Sequence, residues 1–191
     1  METILGLCIG VGLSAACGFR VFVPLLVMSI ATMMGWFEPS KGFEWLALPS
    51  VCLALGVATV CEIAAYYIPW VDNALDTVAT PAAMIAGTLT TMAVSSGEMS
   101  QFATWAAAII VGGGTAGVVQ MSTVAARGVS TATTGGLGNF LVATGEWIGA
   151  ILLSVSAMLV PALVAIVVLI AVIWVVRWIR HKKQEQAHTP L

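Results

Sequence analysis

Residues 140–176 have the sequence FLVATGEWIGAILLSVSAMLVPALVAIVVLIAVIWVV, in which Glu146 is the single charged residue. A helix needs about 20 apolar residues to cross the hydrocarbon core of a bilayer, which is about 30 Å thick. This stretch is nearly twice that length, so we expect it to form two membrane spans. Pro161, or the serines at positions 154 and 156, would interrupt the helix between them.

The rest of the chain is similarly apolar. Of its 191 residues, 60% are hydrophobic and 8% are charged, whereas soluble domains have about 25% charged residues. The sequence therefore predicts an all-α integral membrane protein with about six transmembrane helices, in which residues 1–176 form a single transmembrane domain. The four further apolar segments are residues 4–34, residues 46–68, a segment that follows the polar turn at 71–76 and reaches residue 94, and residues 104–126.

The positive charges predict the orientation of the chain. Residues 177–191 form a basic tail, with Arg177, Arg180, Lys182 and Lys183. Because basic segments stay in the cytoplasm, we expect a cytoplasmic C-terminus. Counting back through six spans also places the N-terminus in the cytoplasm, and it places outside the acidic loops that contain Glu38, Glu44 and Glu98.

A weak internal symmetry divides the chain into halves at residues 3–97 and 104–176. Val11-Gly12 matches Val111-Gly112, Glu62 matches Glu146, and Pro81-Ala82 matches Pro161-Ala162. Three spans in each half predict a 3+3 inverted repeat, as in many secondary transporters. The repeat would start the fifth span near residue 130, whereas hydropathy starts it near residue 140. We therefore expect residues 130–139 to be a broken or re-entrant element inside the protein.

The composition also excludes classes of function. The chain has no basic patch outside its tail, so we expect no nucleic-acid partner. Its two histidines, His181 and His188, both lie in the tail. We therefore expect no metal site, no cofactor and no histidine-based catalysis. We expect that the chain is not an enzyme, and an intramembrane enzyme with paired carboxylates is the less favoured alternative.

Glu62 and Glu146 are acidic residues inside predicted spans. An ionisable group at membrane depth costs about 2.5–3.5 kcal/mol on insertion scales, so such a group usually faces the protein interior or a water-filled path. Both residues are candidates for a substrate or ion pathway. The alternative is that each carboxylate is hydrated near the interface or forms a hydrogen bond to a neighbouring helix.

Arg20 lies about sixteen residues into the first apolar segment and cannot face lipid. Either this segment is a hairpin or broken helix that brings Arg20 to water, or Arg20 pairs with a buried acid, for which Glu62 and Glu146 are the candidates. Pro24 would allow the break. The alternative is an arginine that extends to the membrane interface.

Four other polar residues are pathway candidates. Asp72 and Asp76 would form an acidic mouth, or they would cap the third span and complement its helix dipole. Gln120 belongs to a polar stripe with Ala116, Thr123 and Arg127 at helical spacing, which would line a path or pack helices. Asn139, next to three glycines, offers a carbonyl and an amide to a ligand.

Several of these residues lie in longer motifs. They are GLSAACGFRVFVP at residues 12–24, Glu62 before IPWVDN at 68–73, Asp76 before PAAMIAG at 81–87, and GGLGN at 135–139 before Glu146. Together they resemble the bacterial membrane family catalogued as domain of unknown function 4126, from about residue 3 to 175. That family often has an acid and a base where this chain has Ala65, Tyr66 and Tyr67, Arg-Pro at Thr80-Pro81, and an acid at Trp147. The resemblance implies a shared fold, a shared site and a bacterial inner membrane, but no reaction.

The function that the sequence favours is a transporter or channel-like permease for a small solute or ion, coupled to protons or cations through its intramembrane glutamates. Its partners would be the lipid bilayer and that solute, and the small residues on its helix faces permit a homodimer. The alternative is a membrane scaffold or assembly factor that transports nothing, in which Arg20 neutralises a buried acid.

Overall fold

The computed structural model of the chain describes residues 2–95 and 99–187, and the regular elements in these two ranges are all helical. Glu98 and His188 lie outside the described residues, and the described side chains do not include those of Asp72, Lys182 and Lys183. The elements are α1 (Glu2–Phe19), α2 (Phe22–Met33), a 3-10 turn (Glu44–Ala47), α3 (Pro49–Ala65), α4 (Pro69–Val94), α5 (Gln101–Ala107), a π-helical segment (Ala108–Gly113), α6 (Gly114–Thr134), α7 (Asn139–Leu159) and α8 (Pro161–Ala187).

The helices have the length and composition of a membrane protein. Among the described residues, four continuous helical segments are long and apolar enough to cross a membrane: Ala74–Val94, Gln101–Thr134, Asn139–Leu159 and Pro161–Trp178. Three shorter helices, α1, α2 and α3, are also apolar. The all-helical class is therefore confirmed, and the number of spans stays a prediction.

The break inside residues 140–176 occurs at Pro161. Helix α7 ends at Leu159, and α8 begins at Pro161. Proline fits the first turn of a helix because the amide hydrogen that it lacks would have no intrahelical partner there. Of the two predicted breaks, Pro161 is the one that the chain uses, and Ser154 and Ser156 lie inside α7.

The first apolar segment folds into a helical hairpin. In α1, Gly6 lies against Val94 at the end of α4. After α2, the amide of Ser40 donates a hydrogen bond to the carbonyl of Ala93 at 2.7 Å. Between Arg20 and Ser40, the chain therefore runs back to the end of the bundle at which α1 begins. We call this end, with Val94, the first end, and the opposite end, with the turns before α4 and α7, the second end.

This hairpin is one of the alternatives that the sequence left open for Arg20, and it differs from the single span over residues 4–34 that the count of six spans assumed. The chain begins at the first end. Helix α8 starts near Gly12 of α1, which lies against Val164. It then runs towards the second end, where Val175 of α8 and Val142 of α7 line the same groove. Hydropathy counted one span because no polar loop separates α1 from α2.

Helix α1 lies at the centre of the bundle and packs against α4, α6, α7 and α8. Its side chains from Leu13 to Cys17 are almost fully buried. Ser14 Oγ donates a hydrogen bond to the carbonyl of Gly87 at 2.8 Å and lies 2.9 Å from Thr91 Oγ1. Small residues at these positions allow the helix backbones to approach each other closely, which is the usual basis of packing in membranes.

Residues 130–139 are not a re-entrant element, and this prediction was wrong. Helix α6 continues to Thr134, and a turn then leads directly into α7. Gly135 and Gly136 have φ angles of +64° and +94°, a left-handed conformation that ends a helix and that glycine adopts without strain. Most of this turn is exposed at the second end, so hydropathy placed the start of α7 correctly and the repeat did not.

The inverted repeat stays a prediction. One of its matches differs in structure, because Pro81 lies inside α4 whereas Pro161 begins α8. The irregular helix of the second half is the π-helical segment Ala108–Gly113, which packs against α4. This segment lies where Gly87 and Gly112 meet.

Candidate functional site

Among the described side chains, four charged ones form one buried network near the second end. They are Arg20, which directly follows α1, Asp76 of α4, Arg127 of α6 and Glu146 of α7. Asp76 and Glu146 each lie seven residues after the start of their helix, and Arg127 lies seven residues before the end of α6. At about 1.5 Å of rise per residue, the charge network is about 10 Å inside the helix ends.

Glu146 is the central acceptor of this charge network. Its Oε1 accepts a hydrogen bond from Arg127 Nε at 3.1 Å, and its Oε2 accepts from Arg127 Nη2 at 2.7 Å. Arg20 Nη2 lies 2.9 Å from the same Oε2. Two parallel bonds between guanidinium and carboxylate fix the orientation of both groups. The prediction that Arg20 pairs with a buried acid is confirmed, and of its two predicted partners the ion pair is with Glu146.

Asp76 completes the charge balance. Its Oδ1 accepts a hydrogen bond from Arg127 Nη1 at 2.6 Å. The side chains of Arg20, Arg127 and Glu146 are 1%, 2% and 4% exposed, and that of Asp76 is 18% exposed. Two guanidinium groups thus face two carboxylates, so the charge network is neutral when counted over the described side chains. Because these charges compensate one another, the four groups avoid the large unfavourable free energy of burying an uncompensated charge in an apolar interior.

Both arginines also lie against the ring of Tyr66, which follows α3. The Cζ atom of Arg20 is 3.8 Å from the ring centroid, and that of Arg127 is 4.3 Å from it. Arg20 Nε and Nη1 have no hydrogen-bond acceptor among the described residues. The electron-rich ring face therefore supplies the compensation that these two donors lack. Tyr66 is a site residue that the sequence did not predict.

Tyr66→Leu is expected to lower the free energy of unfolding by about 1–2 kcal/mol, because it removes the aromatic face from two desolvated cations. Equilibrium unfolding of the purified protein in detergent measures this change. Tyr66→Phe is the control, since it keeps the ring and is expected to retain most of the stability. Equal losses in the two variants would show that the ring does not act through the arginines.

Glu62 lies beside the charge network, but its carboxylate accepts hydrogen bonds from backbone amides. Its Oε1 accepts a hydrogen bond from the amide of Val21 at 2.8 Å, and its Oε2 accepts from the amide of Phe22 at 3.1 Å. These amides belong to the first turn of α2, where the N-cap residue forms no side-chain hydrogen bond of its own. A carboxylate at this place satisfies free donors and complements the positive end of the helix dipole.

The remaining pathway candidates are not part of the charge network. Gln120 is buried in α6, about two helical turns from Arg127 towards the first end, and its Nε2 has no partner among the described residues. Asn139 is the first residue of α7, and its Nδ2 donates to Thr131 Oγ1 at 3.0 Å in the α6–α7 turn. The prediction for the Asp72 side chain lies outside the described residues. The site therefore unites Arg20, Asp76 and Glu146 of the predicted set, with Glu62 adjacent.

One family model, described as Domain of unknown function (DUF4126), matches residues 7–181 of the chain. The match covers all the residues of the charge network. The chain belongs to this family. It has no match among curated proteins and none among solved structures. Because the family description names no activity, the function of this DUF4126 protein is argued from its own residues.

Two positions at which this DUF4126 chain departs from the resemblance noted above contact each other. Trp147 Nε1 donates a hydrogen bond to Tyr67 Oη at 3.1 Å, and Tyr67 Oη lies 2.9 Å from Thr144 Oγ1. The ring of Phe140 meets that of Tyr67 at 5.0 Å between centroids. These uncharged contacts join the end of α3 to α7 on the second-end side of the charge network.

Proposed function

We propose that this DUF4126 protein is a permease for a small solute or ion, coupled to protons or cations through Glu62. The observation that carries the proposal is a carboxylate, inside an apolar bundle, bonded to the first amides of a helix that begins at an internal break. Transporters commonly build ion and substrate sites at the ends of discontinuous helices. In this protein, the break between α1 and α2 likewise places the first amides of a helix against the carboxylate of Glu62.

The number of charges near the second end supports a role beyond packing. Glu62 and the four residues of the charge network lie on helices made almost wholly of apolar residues. Replacing a buried ion pair with apolar residues of similar volume is often neutral or stabilising. Stability alone therefore gives little reason to keep five charged groups at this depth, and ionisable residues inside membranes commonly belong to ion or substrate paths.

Glu62 also connects two packing units. Helix α3 packs mainly against α2 and the 3-10 turn, whereas α1, α4, α6, α7 and α8 pack around one another. The carboxylate of Glu62 ties α3 to the backbone at the α1–α2 junction. Proton or cation binding would weaken these bonds, so the occupancy of Glu62 would shift the balance between two positions of α3 against α2. Such a shift requires different affinities in the two positions.

The basic tail supports an orientation for the proposed permease. Helix α8 runs towards the second end, and Arg177 and Arg180 lie near its end. Positively charged segments favour the cytoplasm. We therefore propose that the second end faces the cytoplasm of a bacterial inner membrane, with Glu62 and the charge network in the cytoplasmic half of the bundle.

Glu62→Gln is expected to abolish proton flux into liposomes that contain the purified protein under an imposed membrane potential. Glutamine has a similar shape but cannot carry the negative charge or exchange the proton. A pH-sensitive dye trapped inside the liposomes measures the flux. The same assay applies to Glu146→Gln wherever that variant folds.

Glu44→Gln is the matched control, because Glu44 is an exposed carboxylate in the 3-10 turn. It is expected to keep the flux of the wild type. Wild-type flux equal to that of protein-free liposomes would contradict the proton-conducting form of the proposal. Equal flux in the wild type and Glu62→Gln would remove Glu62 from the path.

A membrane scaffold is the second candidate function, and the overall neutrality of the charge network favours it. In a scaffold, Arg20 and Glu146 would only neutralise each other. Replacing both with glutamine should then leave the biological function intact in any variant that folds. A permease that uses the charge network should lose transport in the same double variant.

A further inference from the structure

A cleft opens between α3 and α4, next to the start of α2. It has a volume of about 460 Å³, within the range of about 300–1,000 Å³ that is typical of small-molecule sites. Its walls are apolar, and they include Ala58, Leu75, Val78, Ala79 and Ala82. Tyr66 also lines the cleft, and Glu62 is the single ionised residue among those lining it.

Glu62 is the acidic residue beside the charge network that forms no ion pair with a described residue. The two arginines are matched by Asp76 and Glu146. Within the part of the chain that the structure describes, Glu62 has no ion pair, and its side chain accepts only from the amides of Val21 and Phe22. A carboxylate has about four lone-pair sites, so two remain for another donor or cation. The cleft thus has one carboxylate with free acceptor sites among mostly apolar lining residues, and the two arginines lie behind the ring of Tyr66.

The side chains that line the cleft determine which kind of cation it can bind. A divalent metal ion needs about six oxygen ligands or several retained waters. This cleft offers one carboxylate, one phenol hydroxyl and the thiol of Cys61, and the remainder of its lining is apolar. An organic cation needs only one counter-charge and gains from apolar walls that bury its body. The lining therefore favours an organic cation over a metal ion.

The mouth of the cleft opens on the apolar flank of the bundle. Cys61 and Val78 line the cleft and are exposed. Their neighbours on the outer face of α3, Val57 and Val60, are also exposed and apolar. A ligand that partitions into the bilayer could enter from this side. Its charged part would face Glu62, and its apolar part would contact the apolar walls of the cleft.

We propose that the α3–α4 cleft binds a monovalent organic cation with an apolar body, and that Glu62 is its counter-ion. As a statement of substrate class, this inference rests on the proposed permease function. As a statement about binding, it is measured without any gradient or membrane. A failure of transport and a failure of binding can therefore be told apart.

The test is binding of radiolabelled tetraphenylphosphonium to the purified full-length protein in detergent, by equilibrium dialysis against protein-free micelles. The wild type is expected to bind saturably, and Glu62→Gln is expected to weaken binding by about tenfold or more, because it removes a charged contact. Glu44→Gln is the matched control and should bind as the wild type does. Neutral triphenylphosphine oxide should show no difference between the wild type and Glu62→Gln.

A second variant tests the cleft without changing the carboxylate. Ala82→Phe places a ring in the cleft and is expected to weaken tetraphenylphosphonium binding, while size-exclusion chromatography shows whether the variant is folded. This variant decides the matter if Glu62→Gln does not fold. Absence of saturable binding to the wild type would overturn the inference. Binding that neither Glu62→Gln nor Ala82→Phe weakens would also overturn it.

Discussion

Glu146→Gln is expected to lower the free energy of unfolding by about 3–5 kcal/mol, the usual consequence of removing one partner from a buried ion pair. The carboxylate neutralises Arg20 and shares Arg127 with Asp76. After the substitution, Asp76 and the neutral amide remain opposite two buried guanidinium groups. Equilibrium unfolding in detergent, followed by circular dichroism, measures the loss.

A double variant separates charge imbalance from lost packing. Arg20→Gln combined with Glu146→Gln removes one positive and one negative charge, so it leaves Arg127 paired with Asp76. The double variant is expected to be more stable than Glu146→Gln alone, which is the non-additivity that contacting groups show. Glu44→Gln should change stability by less than about 0.5 kcal/mol, as surface substitutions usually do. A similarly small change in Glu146→Gln would contradict the importance of the charge network.

The sequence predicted the parts of the fold that depend on local composition. The membrane class and the start of α7 follow from runs of apolar residues, and the break at Pro161 follows from the chemistry of one residue. It left the direction of the chain after Arg20 open, because a hairpin and a single span were both compatible with the segment. The carboxylate of Glu62 accepts from the amides of Val21 and Phe22 at this reversal, and no window of hydropathy contains such a long-range contact.

The same distinction applies to the candidate site. Arg20 and Glu146 stand out because a charge inside an apolar run requires a partner. Arg127 was predicted only as part of a polar stripe, although two acidic residues inside the predicted spans, Glu62 and Glu146, already required more than one basic partner for both to be paired. Tyr66 stood out only as a departure from the family pattern, because a tyrosine near a membrane interface is common and its contact with two arginines is visible only in three dimensions. Asn139 lies apart from the charge network because its neighbouring glycines form the α6–α7 turn.

Gly87→Leu is expected to lower the free energy of unfolding by about 3 kcal/mol, at the upper end of the usual cost of overpacking. A Cβ atom at position 87 would lie 2.6 Å from Ala116 Cβ and 2.7 Å from the carbonyl oxygen of Gly112. The second of these is a backbone atom, so α4 would have to move away from the π-helical segment and from α6. The hydrogen bond from Ser14 to the carbonyl of Gly87 would then be lost as well.

Gly149→Leu is the matched control, because it makes the same change within α7 at a glycine whose Cβ would meet no atom within 4 Å. Gly149 lines a groove of about 410 Å³, so the added side chain has room. This variant is expected to keep the stability of the wild type or to exceed it, since leucine is the better helix former. Equal losses in the two variants would mean that leucine acts through its bulk at any position. A loss confined to Gly87→Leu would show that the approach of α4 to the π-helical segment is what leucine disrupts.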